Sequence, residues 1–84
     1  MVAGEPIELL RAALAKMKHR KASDGMWEIT GRFEPELGDP LWRAVLRIEK
    51  ELLEQDVALD NADARTVDQR RADAFVLLVD RMYS

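Results

Sequence analysis

Ile7, Leu10, Leu14 and Met17 recur at intervals of three and four, the spacing that lines one face of a helix. Pro6 suits the first turn, where its missing N–H costs nothing, so the pattern predicts a first helix over about residues 6–19. This helix runs into Lys16, Met17, Lys18, His19, Arg20 and Lys21, whose cations would offset the negative end of the helix dipole. Asp24 and Gly25 mark a turn, and from Met26 to Phe33 the period changes to two, placing Trp27, Ile29 and Phe33 on one side of an extended segment. No second strand is evident in the pattern. A ladder partner for residues 26–33 is therefore expected from outside these residues or from another chain, or else the segment is merely extended.

Pro35, Gly38 and Pro40 punctuate a loop, after which Leu41, Val45, Ile48 and Leu52 form one stripe and Trp42, Leu46 and Leu53 a second beside it. The predicted helix over about residues 40–55 is apolar around more than half its circumference, so it needs two neighbours, one of which could be another subunit. Trp42, Leu46 and Leu53, with Trp27, are the candidate interaction face. Arg43, Arg47, Lys50, Glu51 and Glu54 fill the rest as a solvated, mutually paired surface, with Arg47 and Glu51 four apart. Asp56 to Ala64 is acidic and lacks a helical period. It also lacks the ligand alternation, turn glycine and closing glutamate of a calcium loop, and reads as a polar connector.

Thr66, Val67, Asp68 and Gln69 match a capping box, which starts a third helix over about residues 66–82 with Val67, Ala74, Phe75, Leu78 and Met82 inward. Arg70 and Arg71 near its start oppose the dipole and call for compensation. Local pairs of Arg70 with Asp73 and of Arg71 with Asp68 would supply it. Yet at about 100° per residue Arg71 falls between Leu78 and Met82, in the middle of the apolar stripe. A guanidinium so placed is expected to bond a carboxylate or loop carbonyls from the Asp24–Asp39 region and lock the third helix there. Arg71, Thr66, Gln69 and Asp68 are the candidate structural lock. The fold class is mainly α: a three-helix single domain with one short extended segment between helices one and two.

Composition narrows the function. The chain has 84 residues, 48% hydrophobic and 35% charged, enough for one modest core. Without cysteine it has no disulfide, thiolate zinc site or cysteine nucleophile, and a reducing cytoplasm fits this. No stretch approaches the roughly 20 apolar residues of a membrane span, and the first residues lack a signal-peptide pattern. The single histidine, His19, has no ligand or triad partner at useful spacing, and the four glycines are too scattered for a phosphate loop. No catalytic, metal or cofactor site, and no small-molecule substrate, is expected. A net charge of −3 argues against a dedicated nucleic-acid binder. Local contact with phosphate through Lys16, Lys18, Arg20, Lys21 and Arg70 stands as the alternative to a protein partner or homo-oligomer.

The run Arg65-Thr66-Val67-Asp68-Gln69-Arg70-Arg71-Ala72-Asp73-Ala74-Phe75, preceded by Asp24-Gly25-Met26 and by Gly31-Arg32-Phe33-Glu34-Pro35-Glu36, resembles the domain of unknown function in actinobacterial 13E12 repeat proteins. There the pattern is R-T-x-x-Q-R-R-A-D-A after a D-G-M turn and a G-x-(L/F)-(D/E)-P-E segment. The resemblance covers about Ala22 to Met82. It implies the later part of a longer domain that commonly precedes an HNH endonuclease domain, with the first helix here a substitute or a remnant. No HNH pattern stands in these residues, so the resemblance implies an associated nuclease and not nuclease activity in this chain.

Overall fold

The computed structural model describes residues 1–58 and 65–84, and residues 59–64, most of the expected acidic connector, lie outside it. Three helices enclose the core: α1 (Ile7–Ala15), α2 (Pro35–Ala58) and α3 (Val67–Tyr83). Between the first two lies an antiparallel hairpin of β1 (Lys18–Lys21) and β2 (Trp27–Thr30). Each helix contributes one large, fully buried side chain, Leu10, Ile48 and Leu78. Burial of such a side chain stabilises by about 1.5–3 kcal/mol. Ala13, Leu41, Ala44, Val45, Leu52, Ala74 and Met82 close the core around them.

The first helix is shorter than the sequence suggests. It ends at Ala15, with the Lys16 N–H bonded back to the Ala13 carbonyl, and Lys18–Lys21 leaves the helix to become a strand. The missing ladder partner of the extended segment is thus this same chain. Lys18 pairs with Thr30, His19 with Ile29, Arg20 with Glu28 and Lys21 with Trp27. Favourable placement of cations at a helix end is worth about 0.3–1 kcal/mol. The ladder instead gives backbone partners to both segments. The turn forms where Asp24 and Gly25 predict it: the Met26 N–H donates to Asp24 Oδ1 at 2.9 Å, and Gly25 takes φ of +87°, which glycine adopts without strain. All eight strand residues are exposed, so the hairpin stands off the helices. Of the three side chains expected on one side of the extended segment, only Phe33, beyond β2, packs against the core. It folds back over Gly31, where a Cβ would lie 2.6 Å from its Cζ.

Helix α2 begins at Pro35, five residues before the expected start, and carries Pro40 inside it, buried. The Leu37 and Gly38 N–H groups both donate to the Glu34 carbonyl, so the first turn is nucleated ahead of Pro40. Pro40 is the sixth residue of α2, beyond the N–H groups that a helix start leaves free, so it forgoes one intrahelical bond, that to the Glu36 carbonyl. At its other end α2 runs through Asp56, which is buried and not part of a solvated connector.

The charged flank of α2 is also paired differently from the expected local scheme. Val2 and Glu5 bond each other's backbone in a tight N-terminal turn, which lowers the Glu5 carboxylate onto α2. Arg43 donates to Glu5 at 2.8 Å, and Arg47 pairs with the same carboxylate. These two hydrogen bonds, that from Arg43 first, hold the Glu5 carboxyl below its ordinary range. Glu51, the expected partner of Arg47, is bonded instead by Arg81 of α3 at 2.8 Å. Val67, expected inward, is exposed at the first position of α3. No helix among the described residues is long and apolar enough to cross a membrane.

Candidate functional site

The start of α3 is built as its sequence predicts. Thr66 Oγ1 accepts from the Gln69 N–H at 3.2 Å, and Gln69 Oε1 accepts from the Thr66 N–H at 2.9 Å, which completes the capping box. The arginines beside it find their compensation across the helix interface. Arg70 Nε lies 3.6 Å from Asp56 Oδ2, Arg65 Nη1 lies 3.9 Å from Asp56 Oδ1, and Arg65 Nε lies 3.1 Å from Asp73. Asp73 therefore serves Arg65 and not Arg70. With its side chain only 12% exposed and turned to Asp56, Arg70 is withdrawn from the candidate phosphate contacts.

Arg71 also departs from expectation. Its Nε donates to Glu49 Oε2 at 3.1 Å, and its guanidinium carbon lies 4.9 Å from the Trp42 ring centroid. Both partners belong to α2, not to the Asp24–Asp39 region, and Asp68 is not among its ion-pair partners. The side chain is 45% exposed, so it lies over the edge of the apolar face instead of entering the core. The sequence signal for Glu49 was available only as a charge within the wide apolar surface of α2. The signal for Glu5 was the pair of arginines four residues apart, like charges that one shared anion relieves.

Trp42, Leu46 and Leu53 do form an exposed face, continued by Val57 one turn beyond Leu53. Arg71 joins this face to a groove of about 480 Å³ that lies between the hairpin and α3, lined by Trp27, Ile29, Arg71, Ala72, Phe75 and Val76 with Asp68 at its rim. Ile29 and Phe75 also border a smaller depression of about 230 Å³ over Met17 and Phe33. Indole, isoleucine and phenylalanine surfaces thus continue past a half-exposed guanidinium to the leucines of α2. A contiguous apolar patch with aromatic and arginine members has the composition of a contact surface.

The remaining candidate cations collect on the other element. Lys18 and Arg20 share one face of the hairpin, and His19 and Lys21 the opposite one, with Trp27. Arg20 is bonded by Glu28. The Lys21 ammonium lies 6.0 Å from the Trp27 ring, and His19 contacts the same ring at 5.8 Å. Lys16 and Lys18 line a shallow depression at the hairpin base with Thr30, Gly31 and Arg32. Among the described residues no cluster of three or more metal-ligating side chains is present.

A family model described as a domain of unknown function (DUF222) matches residues 10–83. The matched span begins within α1 and so starts earlier than the resemblance read from Ala22. Neither a curated relative nor a solved structure matches the chain.

Proposed function

We propose that this chain, which belongs to the DUF222 family, is a non-catalytic helical interaction module that self-associates through its exposed α2 face. The observation that carries this reading is the continuity of Trp42, Leu46 and Leu53 with the Trp27 groove through Arg71. A second copy suits the face because most soluble homo-oligomers pair one patch with itself about a two-fold axis. A patch that mixes apolar side chains with Arg71 and Asp68 can meet its own image.

The Arg65–Phe75 run supports placing the module with the domain of actinobacterial 13E12 repeat proteins, which stands beside an HNH endonuclease domain. On that reading it serves a nuclease as an accessory in the cytoplasm. An HNH coding sequence joined to or adjacent to this one in the genome is the expected finding.

Sedimentation of the chain over a range of concentrations tests self-association. A reversible dimer is expected, and Leu46→Lys with Leu53→Lys dissociates it while leaving the helical circular dichroism unchanged. A strict monomer at high concentration overturns self-association and leaves docking on a different protein as the use of the face.

A further inference from the structure

The charges of the molecule are partitioned. From Lys16 to Phe33 the chain carries five Lys or Arg against two Asp or Glu, while the remainder carries eight against fourteen. In the helical body Arg43, Arg47, Arg65, Arg70, Arg71 and Arg81 each face a carboxylate. In the hairpin region only Arg20 does. Among the described residues Lys16, Lys18, Lys21 and Arg32 form no ion pair. Four cations without an ion pair thus lie on or beside one projecting element of an acidic protein, while Arg11 and Lys50 are the two in the helical body among the described residues.

The shape of that element suits a polyanion. Four residues of antiparallel strand extend about 13 Å, and both faces of this ribbon are exposed and carry cations. A two-stranded ribbon fits the major groove of B-form DNA, which is about 12 Å wide. Salt screens charge over about 8 Å at physiological ionic strength, a distance shorter than the ribbon. The acidic body therefore does not cancel Lys21, the unpaired cation at the far end. At the base, Lys16, Lys18 and Arg32 surround a depression of about 370 Å³ with Thr30 and Gly31, room for a phosphate group. The ribbon offers Lys, Arg, Thr and Glu but no Asn or Gln for bidentate reading of adenine.

The geometry points to the β1–β2 hairpin as a ribbon that enters the major groove of double-stranded DNA and holds its phosphate backbone without sequence preference through Lys16, Lys18, Lys21 and Arg32. This site uses none of Trp42, Leu46 and Leu53, although Lys21 shares a hairpin face with Trp27 of the proposed self-association patch, so duplex binding without dimer formation, or the reverse, tells the two readings apart. Four phosphate contacts give a log–log salt slope of about −3.6, and affinity for a duplex falls roughly 100-fold between 50 and 200 mM salt.

Fluorescence anisotropy of the full chain with a labelled 20-base-pair duplex, a single strand of the same length and polyglutamate tests this. Duplex binding with that slope is expected. Lys18→Glu with Lys21→Glu should weaken it by at least about 10-fold and reduce the slope by about 2, while circular dichroism and sedimentation remain those of the parent chain. Absence of duplex binding at 50 mM salt, or equal binding by the double variant, overturns the proposal. Tighter binding of the single strand overturns groove entry, and binding of polyglutamate in place of the duplex overturns it in favour of an acidic polypeptide.

Discussion

Replacing Asp56 by leucine removes the only carboxylate that faces Arg70 among the described residues. Both side chains are almost covered, Asp56 8% and Arg70 12% exposed, so the stranded guanidinium has little access to water. Loss of one member of a buried ion pair costs about 3–5 kcal/mol. The separations of 3.6 and 3.9 Å are those of ion pairs rather than tight hydrogen bonds, which puts the cost at the lower end, about 3 kcal/mol. A domain of this size has a total stability of about 4–12 kcal/mol. Each kcal/mol shifts its melting temperature by about 4–8 °C, so thermal unfolding followed by circular dichroism should show a fall of at least 10 °C. The double variant Asp56→Leu with Arg70→Met removes both charges and should recover most of the loss, because apolar replacement of a whole buried pair is often neutral. Arg65 keeps Asp73 in either variant. A fall under about 4 °C for the single variant, or a double variant no more stable than the single one, refutes the account of this pair.

Leu78→Ala opens a cavity between α2 and α3 and should cost about 2–5 kcal/mol in denaturant unfolding. Thr66→Ala removes the acceptor of the Gln69 N–H and should cost about 1 kcal/mol by the same measurement. Glu5 is held below its ordinary value of 4.5 by Arg43 and Arg47, so its contribution is fully present above that value and is lost as pH falls through the lower folded one. Denaturant midpoints measured downward from pH 6 should therefore decline less steeply for Glu5→Gln than for the parent chain, from a lower starting stability.

The three helices were legible because their buried faces recur at helical spacing: Leu10 and Ala13, then Leu41, Val45, Ile48 and Leu52, then Ala74, Leu78 and Met82. The cap at Thr66 and the turn at Gly25 were legible because their backbone geometry demands particular side chains. Strand β1 was not, since Lys18, His19, Arg20 and Lys21 are all exposed and polar and leave no alternating pattern. The cations there served a helix terminus equally well on paper. Pro40 hid the first turn of α2 because a proline suits a helix start and removes a bond from a helix interior, so the pattern reads as beginning there. The partners of Arg70 and Arg71 were misread because α3 meets α2 through long side chains, and residues 14 and 22 positions away outcompete those three away. The Trp42, Leu46 and Leu53 face was readable as a stripe, but its link to Trp27 through Arg71 required the packed helices.

The hairpin bonds only to itself and packs on no helix, so it can open while Leu10, Ile48 and Leu78 stay buried. Its lysines and arginines are also the residues after which trypsin cuts. Limited digestion of the free chain should therefore nick Lys18–Lys21 long before the helical body, at a rate indifferent to core substitutions, and bound duplex should slow that cut alone.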